Sequence, residues 1–228
     1  MTIDATNGEP LVVAVAGDSL SLPLKRNLRY EDALIDSRDM LVPFASTFPA
    51  IIQMCFGKML GKPVLVTSHT RRGATSTELR ELAIVALREY QPHYLILNIG
   101  TSDARFRTTG LRRVGGELWQ KVPLLEFEEN LASLIPAFLC SGATLIAVGI
   151  LPCSTELLRK YPGTAPEFLR YNTVLKNFTD RVCGIFLDMD DLTSSIDEYV
   201  APDGFHYNAK AHADVARRIH EAMTRDAR

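Results

Sequence analysis

A chain of 228 residues, 46% hydrophobic and 23% charged, is long and apolar enough to bury a sizeable core. Its formal net charge of -2 lacks the basic excess that general nucleic-acid binding requires, so no nucleic-acid partner is expected. The four cysteines (Cys55, Cys140, Cys153 and Cys183) form neither a C-x-x-C pair nor a zinc spacing with histidine. No disulfide framework, metal or cofactor is read from them, and a reducing compartment fits.

The opening segment, residues 1–10, is polar and acidic, and is read as a flexible tail. It lacks the basic start and long apolar run of a signal peptide. Leu11–Ala16 is a first strand that ends at Gly17, far too short to span a membrane. No other run approaches the ~20 apolar residues that spanning needs. A cytoplasmic protein with no membrane partner is expected. Phe48–Leu60 has apolar residues at helical spacing, with Gly61 as its stop, and Val64–Thr67 is a second strand. Ser76–Glu89 is a helix, and Tyr94–Ile99 a third strand ending at Gly100. Residues 105–122, with Gly110, Gly115 and Gly116, read as a long loop or lid. Leu125–Cys140 is a helix stopped at Gly142, followed by a fourth strand, Thr144–Gly149. Residues 151–166 are a proline-rich loop. Pro166–Arg181 is a helix and Ile185–Leu187 a fifth strand. A last helix, Ala209–Thr224, places Ala213, Ala216, Ile219 and Met223 on one face, and His212 and His220 on its surface. Cys55 and Cys140 fall in apolar helical patterns and read as buried thiols.

The strands show little polar alternation, which suits strands covered on both faces of a parallel sheet. Strand and helix alternate throughout. The expectation is an α/β protein: a three-layer α/β/α sandwich around a mostly parallel five-stranded sheet, forming a single domain over 1–228. In such sheets active residues gather at the carboxyl ends of strands.

The first strand runs straight into Gly17-Asp18-Ser19-Leu20. That places a hydroxyl at the sheet's carboxyl edge, although Asp18-Ser19 taken alone reads more readily as a turn or helix cap. Near the other end stands Asp203-Gly204-Phe205-His206, a loop in which a carboxylate can orient an imidazole towards a hydroxyl. Gly73 follows the second strand in Arg71-Arg72-Gly73-Ala74, and Gly100-Thr101-Ser102-Asp103 follows the third.

These four segments resemble, in order, the motif blocks of the SGNH/GDSL hydrolases, and they cover nearly the whole chain. The resemblance implies a flavodoxin-like sandwich. It also implies a catalytic triad of Ser19, Asp203 and His206, and an oxyanion hole from the amides of Ser19 and Gly73 with the side chain of Ser102. The departure is Ser102, where the family has asparagine. Ser102 donates directly or through water, or Thr101 or Asn98 substitutes, or hydrolysis is slow. Asp103 reads as structural.

Two further readings concern the substrate. Arg72 and Arg105, with Arg71, Arg107, Arg112 and Arg113 in the same loops, read first as solvated loop charge paired with nearby glutamates; if the loops border the site, Arg72 and Arg105 offer partners for an anionic group as the alternative. Asp18 and Thr101 are further candidates for substrate contact. The implied reaction is hydrolysis of an acyl ester, with a short-chain O-acyl ester on a carbohydrate-like molecule favoured. Acyl transfer by the same residues, or a weakened binding protein on the same fold, are the alternatives. No metal-ligand spacing is present.

Overall fold

The computed structural model describes residues 9–25, 40–108 and 118–226. The first eight residues of the expected tail and the middle of the expected lid, with Arg112 and Arg113, lie outside the described residues.

The chain begins with β1 (Leu11–Gly17). A short antiparallel pair follows, β2 (Leu24–Lys25) and β3 (Met40–Val42). Next come α1 (Phe48–Ile51), a π-helical stretch (Ile52–Phe56) and α2 (Gly57–Leu60), which together make up the expected first helix. Then come β4 (Val64–Thr70), α3 (Ser76–Tyr90), β5 (Tyr94–Asn98) and the single turn α4 (Thr101–Ala104). The pair β6 (Arg107–Thr108) and β7 (Leu118–Trp119) frames the expected lid as an antiparallel ladder. The rest of the chain is α5 (Leu124–Ala132), α6 (Ile135–Ser141), β8 (Thr144–Val148), α7 (Thr155–Lys160), α8 (Thr164–Arg181), β9 (Ile185–Leu187) and α9 (Ala209–Asp226).

Strands pair in the order β4-β1-β5-β8-β9, all parallel. The pleat sends alternate side chains to opposite faces. Val13, Val15, Ile96, Ile146 and Val148 meet Phe48, Ile52 and the Val215–Ile219 face of α9. Ala14, Ala16, Leu95, Leu97 and Leu145 face the other layer, where Leu79, Phe127, Leu131 and Leu175 from α3, α5 and α8 cover them. The sheet is thus closed on both sides, and the apolar runs read from the sequence are its buried strands.

Four expectations are corrected. The Leu125–Cys140 helix is two helices: Pro136 cannot donate to the carbonyl four residues earlier and crowds it, so α5 ends before α6 begins. The loop over 151–166 holds α7, capped by Ser154, whose Oγ accepts from the Leu157 N–H at 3.1 Å. Cys55 and Cys140 are exposed rather than buried. His212 is only 1% exposed, and its Nδ1 accepts from the Phe48 N–H at 3.1 Å, while Ala213 faces outwards. Burial, with the nearby His206, pushes the His212 imidazole down to about 4, so it serves α1 as a neutral acceptor.

Candidate active site

The carboxyl end of β1 is the switch point of the sheet, where the chain turns to β4 on one side and β5 on the other. Gly17 closes β1 against Asn98 of β5, and a Cβ there would sit 2.2 Å from the Asn98 carbonyl oxygen. Only glycine allows this approach. The Asp18 N–H then donates to that same oxygen at 3.1 Å, and the chain turns into a 3-10 turn over Ser19–Ser21. Asp18 Oδ1 accepts from the Leu20 N–H at 2.9 Å. Ser19 is thereby held at the tip, half-buried.

The imidazole arrives from far along the chain. Residues 199–208 fold as a small hairpin with a Val200–Tyr207 bridge, and the Ala201 N–H donates to the His206 carbonyl at 2.7 Å. Gly204 turns it at φ +89, and Ser154 Oγ donates to the Gly204 carbonyl at 2.6 Å. His206 Nε2 lies 3.0 Å from Ser19 Oγ, across 187 residues of sequence. His206 Nδ1 lies 2.5 Å from Asp203 Oδ2, and Asp203 Oδ1 accepts from the Phe205 and His206 amides at 3.1 and 3.0 Å. Burial pushes the Asp203 carboxyl up, but the His206 ring and these two amides outweigh it and hold the carboxyl below the usual aspartate range. It is therefore ionised, and with Nδ1–H bonded to it the Nε2 lone pair faces the Ser19 hydroxyl.

Beside this line lie the other two loops. Gly73 sits at φ +68 after β4, in a turn tied back by the Arg71 N–H to the Gly17 carbonyl at 3.1 Å. The Gly73 carbonyl accepts from Lys121 Nζ at 2.8 Å. Thr75 and Glu78 then form a reciprocal cap on α3, with the Thr75 N–H donating to Glu78 Oε2 at 2.8 Å. Gly100 starts α4 at φ +109, packed on Ile150. This places Ser102, 8% exposed, and Asp103, fully buried, beneath the site. Asp103 Oδ1 accepts from the Ser76 N–H at 2.8 Å, so it binds the α3 loop to the α4 loop, as a structural carboxylate does.

Of the candidate substitutes for an asparagine at 102, Asn98 is otherwise occupied. Asn98 Nδ2 donates to Ser21 Oγ at 3.2 Å and its Oδ1 accepts from the Tyr207 hydroxyl at 3.4 Å. Thr101 is buried and lines a cavity of about 10 Å³ with Gly204 and Phe205. Arg72 reaches back to the Pro23 carbonyl at 2.7 Å and braces the loop after Ser19. Arg105 lies over the Phe205 ring, 3.8 Å from its centroid, and that ring in turn lies 4.2 Å from the His206 ring. The sequence reading missed this contact because nothing local links residues 105 and 205. Among the described residues no group of three or more His, Cys, Asp or Glu could hold a metal ion, and no helix is long and apolar enough to cross a membrane.

A two-sided parallel sheet in this order, with hydroxyl, imidazole and carboxylate in line at its switch point, is the SGNH type of α/β hydrolase fold. The profile of the GDSL-like Lipase/Acylhydrolase family matches residues 43–213, well over half of the chain, and the chain belongs to that family. The match begins after Ser19, so the Gly17-Asp18-Ser19 segment is tied to the rest by the fold itself. Among curated proteins none matches the sequence significantly. The chain is similar in fold to the acetylxylan esterase Axe2 from Geobacillus stearothermophilus, at TM-score 0.66 and 14% identity, over 92% of this chain and 93% of that one. It is also similar to a lipase/acylhydrolase from Enterococcus faecalis, at 0.63 and 16%, over 92% and 93%. A third is the psychrotrophic esterase EstA from Pseudoalteromonas sp., in a structure inhibited by monoethylphosphonate, at 0.62 and 14%, over 94% and 97%.

Proposed function

We propose that this protein hydrolyses an acyl ester through a covalent acyl-enzyme formed on Ser19. The observation that carries the reading is the unbroken hydrogen-bond line from Ser19 Oγ through His206 to Asp203. His206 Nε2 takes the Ser19 proton as Oγ attacks the ester carbonyl carbon, and Asp203 holds the ring and stabilises its charge. The tetrahedral oxyanion is met by the Ser19 and Gly73 amides and by the Ser102 hydroxyl. As the intermediate collapses, His206 returns the proton to the departing alcohol. Water, deprotonated by the same imidazole, then releases the acid and restores Ser19.

A small-molecule or carbohydrate O-acyl ester is the substrate class in keeping with the family. An anionic substituent would meet Arg105 beside His206, whereas Arg72 is held by Pro23. The test is labelling with a fluorophosphonate, alongside a screen of acetyl, longer acyl and thioester substrates. Wild type should label on Ser19 and turn over at least one ester, and Ser19→Ala should do neither. Labelling with acyl passed only to an added alcohol would make it a transferase. No labelling of the folded protein would leave a binding protein on this fold.

A further inference from the structure

Oxyanion donors work because they are fixed before the reaction starts, so that nothing has to reorganise as charge develops. Gly73 is the hardest of the three donors to fix, since glycine has the widest backbone freedom of any residue. Its turn is closed by the Ala74 N–H, which donates to the Arg71 carbonyl at 3.1 Å, and Gly73 sits inside it at φ +68. The remaining hold on this glycine comes from far along the chain. Lys121, 48 residues on, donates from Nζ to the Gly73 carbonyl at 2.8 Å, a charge-assisted bond.

Lys121 is exposed, and an exposed lysine ordinarily keeps its rotamer freedom. Here its neighbours pin the backbone on both sides. Gln120 Nε2 donates to the Ala104 carbonyl at 3.2 Å and to Glu167 Oε2 at 3.0 Å. The Val122 carbonyl accepts from the Tyr171 hydroxyl at 2.5 Å. Ala104 ends α4, the turn that carries Ser102, while Glu167 and Tyr171 belong to α8. Residues 120–122 are therefore rooted in α8 and reach both loops that face Ser19, Gln120 holding the Ser102 loop and Lys121 the Gly73 loop. We propose that Lys121 is a positioning residue of the oxyanion hole, whose bond to the Gly73 carbonyl keeps the Gly73 amide aimed at the substrate oxyanion. The proposal rests on the acyl-enzyme reading and on the Gly73 amide as a donor. A residue of this kind touches no reacting atom, and its loss slows the chemical step while leaving binding alone.

The experiment measures kinact and KI for labelling of Ser19 by a fluorophosphonate, on the full chain and well below each variant's melting temperature. Lys121→Met removes the donor and keeps an apolar stem of similar length; Lys121→Arg keeps a cationic donor. Lys121→Met should lower kinact at least tenfold, towards the roughly 10²–10³ that one lost donor costs, with KI within about threefold of wild type. Lys121→Arg should recover most of that loss. Relaxation of the ¹⁵N-labelled Gly73 amide in the free protein reads the positioning itself. Its order parameter should fall from about 0.85 towards about 0.6 in Lys121→Met and stay high in Lys121→Arg. A lysine that merely stabilises the fold would lower the melting temperature and leave kinact of the folded protein unchanged. An unchanged kinact in Lys121→Met overturns the proposal, as does an arginine variant as slow as the methionine one. A loss confined to KI overturns it too, because Lys121 would then be a substrate contact. So does a slow Lys121→Met with an unchanged Gly73 order parameter, since the ammonium would then act on the substrate directly. In each of these cases labelling of Ser19 keeps the acyl-enzyme reading standing. Absence of labelling in folded wild type removes that reading, and the proposal with it.

Discussion

Asp203 accepts the His206 ring through one oxygen and two backbone amides through the other. An asparagine at 203 can keep the amide contacts through its carbonyl. Its NH2 group, however, cannot accept from Nδ1–H, so the imidazole is driven to the tautomer with its proton on Nε2, which cannot take a proton from Ser19. Asp203→Asn is therefore expected to lower ester kcat by about 10³–10⁴-fold with little change in the melting temperature. A loss below tenfold, measured by stopped-flow hydrolysis, would be incompatible with the proposed role of this carboxylate. His206 and Asp203 were legible in the sequence because three residues and a Gly-containing turn place them together. The Arg105–Phe205–His206 contact was not, since it depends on loops a hundred residues apart.

At the scale of elements, the strands were the easiest to read. Continuous Val, Ile and Leu runs mark β1, β5, β8 and β9, and all have a neighbouring strand on both edges except the terminal β9. Helical periodicity continued unbroken through Pro136, so the division between α5 and α6 was hidden in it. For α9 the signal was present but misread: His212 shares the 3- and 4-residue spacing of Val215, Ala216 and Ile219, and the imidazole is buried on that face. The short pairs β2–β3 and β6–β7 carry too few residues for any pattern to show. The tight junction of β1 with β5 gives a prediction at this scale. Gly17→Ala forces a Cβ onto the Asn98 carbonyl, so either the strands part or the Ser19 turn shifts. Overpacking of this kind costs about 1–3 kcal/mol. The melting temperature should fall by several degrees and the rate of Ser19 labelling by more than tenfold; a variant unchanged in both would show that the junction has slack.

Over the whole molecule, buried titratable groups set opposing pH dependences. Asp18 and Asp103 have carboxyls raised by burial to about 7 and about 6. From about pH 4 up to those values the native state holds protons that the unfolded chain has lost, so stability falls as pH rises through that window. His212 acts in the other direction: its imidazole is pushed down to about 4, the unfolded chain takes up the proton first, and stability falls as pH drops from about 6.5 to 4. Asp18→Asn should therefore raise the melting temperature at pH 8 more than at pH 5, by roughly 2–4 °C for each kcal/mol recovered. Equal shifts at both pH values, by differential scanning calorimetry, would contradict a raised Asp18. The exposed flank of the sheet is managed by a side chain. Gln53, from the π-helical stretch, donates to the Val64 carbonyl at 2.8 Å and accepts from the Val66 N–H at 2.6 Å, answering the open edge of β4 as a further strand would.

The hydroxyl at the tip of β1 and the imidazole that faces it are separated by nearly the full length of the polypeptide. A ribosome works from the amino end, and each residue costs it a fixed time. The first half of this pair is therefore finished long before the second exists. Until the hairpin ahead of α9 has emerged and docked, Ser19 has no imidazole beside it and is an ordinary alcohol. On the proposed mechanism, newly made protein would gain activity only as its last turns settle, and a fragment lacking residues 203–206 would have none.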